Sequence, residues 1–157
     1  MELTTFKPID WYVDDPLEII QAPDEMITQL KIRGVGISAY TKEGCMGCGG
    51  LLLWEDDLAE AWIRVSRKGF KHRKEGIRAI KKAFHIVTNT VKDMCIFCWV
   101  DTEWPEAQRM VKWLGFIPGT ETREMNNRTY LMWDYNNGND FNDCRSGHVC
   151  DGADTAR

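Results

Sequence analysis

Between residues 58 and 91 the spacing of apolar positions changes period once. From Leu58 to Ser66 it alternates: Ala59, Ala61, Ile63 and Val65 fall on one side, and Glu60, Trp62, Arg64 and Ser66 on the other. Side chains that point to opposite faces in turn are the pattern of a strand. Further on, Ile77, Ile80, Phe84, Val87 and Val91 recur at steps of three and four, with Lys81, Lys82 and Asn89 left for water. That spacing predicts an amphipathic helix over 77–91. The residues between, Arg67 to Lys74, read as a basic loop. The unit is strand, cationic turn, helix.

The rest of the chain is organised around it. Thr4 to Ile9 is a short first strand. Asp15-Pro16-Leu17-Glu18 has a cap, a proline at the first helical position and an acid at the third, so a helix starts there and runs to about Ala22. Pro23 restarts a second helix, with Ile27 and Leu30 on its apolar side and Gly34 as its stop. Gly36–Thr41, Cys45–Trp54 and the strand from Leu58 are joined by short turns, an antiparallel meander. Gly47, Gly49 and Gly50 mark a bulge or a close backbone approach. The 94–100 strand follows the long helix and lies parallel to, or splayed beside, the 58–66 strand. Asp101-Thr102 caps a helix bearing Ala107, Met110, Val111 and Leu114 on one face, and Gly115 ends it. Phe116–Pro118 and Thr129–Trp133 form a closing hairpin through Asn126-Asn127. The sum is α+β: a mixed, mostly antiparallel central sheet flanked by helices. From Asn136 the apolar period is lost. The expected division is a domain over 1–135 and a polar tail over 136–157.

Charge sharpens this. Nine Lys and Arg stand between Arg64 and Lys82 against one acid, Glu75, in a chain of net charge −4. A strand that feeds a helix through such a turn aims the helix's first N–H groups, and the positive end of its dipole, at one spot. A concentrated cationic patch on an acidic chain favours a specific anionic ligand over general nucleic-acid binding. No apolar run nears the roughly 20 residues that span a bilayer, and the start has no signal-peptide pattern, so a soluble cytoplasmic protein is expected. Without a secretory signal the six cysteines are not read as disulfides. Cys95 and Cys98 sit three apart on a strand and face opposite ways, so they are expected as small apolar core residues rather than a zinc clamp. Cys45 with Cys48, and Cys144, His148 and Cys150 in the tail, leave metal binding open.

The order strand, two helices, three antiparallel strands, helix, strand, helix, hairpin resembles the GNAT (Gcn5-related N-acetyltransferase) superfamily over about residues 4–135. It looks most like the small divergent GNAT-like proteins of tailed phages. The family's motif Q/R-x-x-G-x-G/A has its nearest match in Arg73-Lys74-Glu75-Gly76-Ile77-Arg78, with Arg78 at the second small position. The late signature N-x-x-A-x-x-x-Y-x-x-x-G-F falls on Trp104 to Phe116. Ala107, Gly115 and Phe116 match, Trp104 stands for the Asn, and Val111 stands for the Tyr that usually protonates the leaving thiolate.

The resemblance implies acyl-CoA-dependent N-acyl transfer, with acetyl-CoA as co-substrate and an amine as acceptor. Glu60 would be the general base. Ile63, Arg64 and Val65 would hold the pantetheine arm and polarise the thioester carbonyl. Arg73, Lys74, Glu75, Gly76, Ile77 and Arg78 would hold the diphosphate. Two other readings stand beside it. One is a catalytically inactive binding scaffold in a phage or host complex, in keeping with the loss of the Tyr. The other is a nucleic-acid-binding domain using the 64–82 patch, which the acidic remainder disfavours.

Overall fold

A computed structural model describes residues 4–135 other than 13, 55 and 56. The expected tail, with Cys144, His148 and Cys150, lies outside the described residues. Seven strands form one sheet in the order β1-β2-β3-β4-β5-β7-β6. The strands are β1 (Thr5–Pro8), β2 (Gly34–Thr41), β3 (Gly44–Leu53), β4 (Leu58–Val65), β5 (Cys95–Asp101), β6 (Phe116–Met125) and β7 (Arg128–Tyr135). Every neighbouring pair is antiparallel except β4 with β5. The helices are α1 (Asp14–Ile20), α2 (Asp24–Arg33), α3 (Arg67–Lys71), α4 (Arg73–Thr90) and α5 (Pro105–Leu114).

The sheet separates two apolar layers. On one face Ile20 and Leu30, from α1 and α2, bury with Ile9, Trp11, Cys48 and Leu52, and Trp62 packs against them. On the other, Val87 of α4 and Val111 of α5 bury with Leu51, Ala59, Ile96, Cys98, Phe116 and Trp133. The alternation read along β4 is thereby realised: Ala59 and Ala61 join the second layer and Trp62 the first. Where Gly36 pairs with Gly50, β2 and β3 touch backbone to backbone. A Cβ on Gly50 would lie 2.0 Å from the Val35 carbonyl oxygen, so this glycine sets the approach of β2 to β3.

The structure departs from the sequence reading in four places. The stretch expected as a basic loop is mostly helical. Ser66 caps a one-turn helix, accepting from the Gly69 N–H at 3.2 Å, and α4 starts at Arg73 rather than at residue 77. Ile77 lies outside the apolar face and is exposed, because the inward row runs through Gly76, Ala79, Ile80, Ala83, Phe84 and Val87. From Ala79, two residues back is a turn of about 200°, which carries Ile77 to the water side. Asp101 does not cap α5, whose N-cap is Trp104 without a side-chain bond. Its carboxylate instead accepts from the Glu103 N–H at 2.8 Å and pairs with Arg128 of β7. The expected stop of α2 holds: the helix ends at Arg33 with Gly34 as its C-cap, and Gly34 then opens β2 in extended conformation. Cys98 is a free buried thiol, whereas Cys95, equally buried, is disulfide-bonded. The hairpin turn falls at Asn126 and Asn127, both at positive φ (53° and 59°), the geometry of a two-residue turn that matches strand twist. Among the described residues no helix is long and apolar enough to cross a membrane.

Candidate functional site

β4 and β5 pair as parallel strands only at Leu58–Cys95, Ala59–Ile96 and Glu60–Phe97, and then separate. Each strand keeps its other edge fully laddered. β4 runs against β3 from Ala59 to Val65, and β5 against β7 from Ile96 to Asp101. Both open ends are also tied away from the gap. Beyond Val65, the Ser66 hydroxyl lies 2.7 Å from the Met46 carbonyl and its N–H donates to the same oxygen at 2.8 Å. Gly69 packs so tightly there that a Cβ would meet that oxygen at 2.3 Å. At the end of β5, Asp101 is held by Glu103 and Arg128. The wedge between the strands is therefore pinned from both sides.

The direction of the unpaired backbone follows from register. Ser66 N–H bonds to the Met46 carbonyl and Trp54 N–H to the Leu58 carbonyl. Between those bonds, even-numbered residues of β4 face β3 and odd-numbered ones face β5. The Asp57 carbonyl, which accepts from Cys95 N–H at 2.7 Å, agrees with that alternation. The Glu60–Phe97 bridge takes the Ala61 N–H onto the Phe97 carbonyl; beyond it the Ala61 C=O and the N–H and C=O groups of Ile63 and Val65 are aimed into the gap, where no strand meets them.

The gap opens on a cleft with about 880 Å³ of free space, part of it continuous with solvent. Its walls are almost wholly apolar: Ile63 and Val65 of β4, Ala79, Ala83 and Phe84 of α4, Cys98 of β5 and Met110 of α5. Of the site residues expected from sequence, Ile63, Arg64, Val65 and Gly76 line it. Arg73, Lys74, Glu75 and Arg78 sit on the exposed first turns of α4 at its mouth, and Ile77 points to water beside them. The first i−4 bond of α4 is Gly76 N–H to His72 O, so the N–H groups of Arg73, Lys74 and Glu75 precede the helical ladder. Among the described residues no carboxylate lies within 4 Å of Arg67, Lys71, Arg73, Lys74 or Arg78. Lys68 is engaged by the Glu43 carbonyl, Lys81 lies over Trp113, and Lys82 over Phe6. A cationic helix start and the open edge of β4 thus border the same apolar cleft.

Glu60 occupies the crotch of the wedge, on the sheet face opposite α4. Its side chain is 20% exposed and stands 3.9 Å from an Arg123 guanidinium nitrogen. Burial pushes its carboxyl above the ordinary glutamate value, against the opposing pull of Arg123 and of a hydrogen bond from Trp54. A raised pKa with partial exposure suits a proton acceptor. Arg123 and Trp99 were not picked out as a pair by the sequence; they converge here because the long Arg123 side chain reaches from edge strand β6 to the Trp99 ring on β5. Cys98 is no rival nucleophile: burial first, then the charges of Asp134 and Glu60, push its thiol up to about 12. Val111, at the place where the family has Tyr, is buried in the cleft wall.

No protein-family model matches this chain, and no curated protein does either. Solved structures do. The fold is similar to that of a GNAT family acetyltransferase from Elizabethkingia anophelis with acetyl-CoA bound, at a TM-score of 0.66 and 15% identity over 84% of this chain and 97% of that one. A Bacillus subtilis acetyltransferase in complex with CoA gives a TM-score of 0.66 at 12% identity, covering 85% and 98%. A chimeric spermidine N-acetyltransferase from Vibrio cholerae gives 0.63 at 14% identity, covering 86% and 96%.

Proposed function

We propose that this chain, which has the GNAT fold, is an acyl-CoA-dependent N-acyltransferase that transfers acetyl from acetyl-CoA to an amine. One observation carries the reading: β4 and β5 part after Glu60, and the odd-numbered backbone groups of β4 face an apolar cleft that ends at a cationic helix start. Two of the fold neighbours hold acetyl-CoA or CoA. The residues here fit such a ligand. A pantetheine arm carries two amides and apolar methylenes, and an open strand edge with apolar walls satisfies both. Ala61, Ile63 and Val65 take the amides. The N–H groups of Arg73, Lys74 and Glu75, with the Arg73, Lys74 and Arg78 side chains, take the phosphates. Gly76 keeps the approach to this turn low.

In the reaction, acetyl-CoA supplies the acyl group as a thioester. The amine approaches from the Glu60 face, through the window between the strands. Its nitrogen attacks the carbonyl carbon, the C–S bond breaks, and Glu60 receives the proton that the nitrogen sheds. An N–H at Ile63 or Val65 polarises the carbonyl oxygen. Val111 has no proton to give, so water protonates the thiolate.

A second reading, a GNAT-like binding scaffold without catalysis, draws on the same residue, because Val111 removes the usual acid. Release of free thiol from acetyl-CoA in the presence of a mixture of amines separates the two. Amine-dependent release that is lost in Glu60→Gln supports the enzyme. CoA binding without any release supports the scaffold.

A further inference from the structure

On the face from which an acceptor would approach, one side chain is not accounted for by the fold. Arg123 lies on edge strand β6, separated from β4 by β7 and β5. Its guanidinium nonetheless reaches back to stack on Trp99, 4.4 Å from the ring centroid, and stops 3.9 Å from Glu60. That distance is too long for a hydrogen bond, so the pair attracts without using up either partner. Arg123 Nε is buried and has no acceptor. Trp62 Nε1, on the same sheet face, is also a buried donor without one. Buried donors left unmade are costly, and a fold keeps few of them without use. The contact with the Trp99 ring seats the guanidinium, while 39% of the side chain stays open to solvent. A planar, pre-oriented fork of N–H donors is the geometry that recognises a carboxylate.

Resting on the acyltransferase reading, we infer that the acceptor is an amine that also carries a carboxylate, as in a free α-amino acid, with its nitrogen at Glu60 and its carboxylate on Arg123. The two protein groups are spaced as the two ends of such a zwitterion require. Its nitrogen and carboxylate are both carried on one carbon, so both reach their partners at once when the molecule bridges the 3.9 Å gap. The surroundings suit a side chain with apolar or aromatic surface: Trp99 and Phe97 stand edge to face beside the pair, with ring centroids 6.4 Å apart. Asp134, directly across from Phe97 on β7, adds negative charge to this face and favours the amine end.

The test compares matched acceptors: L-phenylalanine with phenethylamine, and L-lysine with cadaverine, in acetyl transfer followed by thiol release, after CoA binding has been measured by calorimetry. The expected result is a kcat/KM at least ~10-fold higher for the amino acid of a pair, the order expected of a charge-assisted hydrogen bond. In Arg123→Gln that preference collapses, with the loss falling mainly in KM for the amino acid, and Arg123→Lys restores part of it. Equal or better use of the decarboxylated amines by the wild-type chain, or an Arg123→Gln variant that keeps the preference, overturns the inference and leaves the acyltransferase reading standing. Absence of CoA binding overturns both.

Discussion

Glu60 carries opposing demands. Burial lifts its carboxyl while Arg123 and Trp54 pull it back, and burial wins. For catalysis the consequence is a rate that falls as pH drops through this raised value, since the protonated acid accepts nothing; the acid limb of kcat/KM against pH reports it. For stability the sign is opposite. The folded state binds this proton more tightly than the unfolded chain does, so the contribution is fully present below the ordinary glutamate pKa and is lost as pH climbs through the raised one. Glu60→Gln is therefore expected to lower kcat by about 100-fold or more, to leave CoA affinity within about twofold, and to keep or slightly raise the Tm at neutral pH. Kinetics and thermal melts on the same preparation check all three. A variant with normal kcat removes Glu60 from the mechanism. Arg73 answers for the other end of the cleft. Arg73→Glu is expected to weaken CoA binding at least ~10-fold by reversing a charge at a phosphate, with an unchanged Tm in the absence of ligand because the side chain is exposed. Unchanged affinity would refute this phosphate site.

Two glycines at the β4–α4 junction have different work to do, and their variants separate fold from site. Gly69 is pressed against β3, where a methyl group would lie 2.3 Å from the Met46 oxygen and 2.8 Å from a Val65 methyl. Gly69→Ala is expected to cost about 2 kcal/mol, an overpacking penalty. It would also disturb the pinning of β4 and so the width of the wedge. At Gly76 the nearest atom to such a methyl is the Gly69 oxygen at 3.4 Å, an ordinary contact. Gly76→Ala is expected to hold or gain up to about 1 kcal/mol through helix propensity. Chemical denaturation of the two variants, read side by side, checks the contrast. Asp101 pins the other strand. Its pKa is lowered by the Glu103 N–H and by Arg128, so its contribution is present above the ordinary aspartate value and is lost as pH falls through the lowered one. At this scale much could be read in advance. Alternation gave the faces of β4, glycine and proline gave the ends of α5 and α2, and the Asn pair gave the last turn. The short helix α3 was missed although Ser66 is a local N-cap cue for it, because its other ties are to β3, twenty residues upstream, and its one turn carries no apolar period. Ile77 misled because a single isoleucine sits in step with its neighbours whichever side of the row it flanks.

Across the whole molecule, function depends on where the sheet fails to close. Strand, helix, strand connectivity makes β4 and β5 neighbours, and that much was legible. How far they pair is decided by long-range ties, Ser66 and Gly69 to β3 and Asp101 to β7, which no local pattern records. The convergence of Glu60, Arg123 and Trp99 was invisible for the same reason: the three come from β4, β6 and β5, and only the fold brings them together. The cationic start of α4, by contrast, stood out in the charge pattern alone. If these parts form one site, filling the channel must abolish ligand binding without harming the fold. Ala83 of α4 lines the cleft and is only partly buried, so a larger side chain there projects into free space rather than into packed core. The most direct measurement is a calorimetric titration of CoA into the wild-type chain and into Ala83→Phe, with thermal melts of both. The cleft account predicts saturable 1:1 heat for the wild type and a Tm that rises with CoA, by the equivalent of about 2.7 kcal/mol at a hundredfold excess over Kd, and neither effect in the folded variant. Wild-type protein that shows no heat and no shift at millimolar CoA, or a plugged variant that binds as well as the wild type, would contradict it.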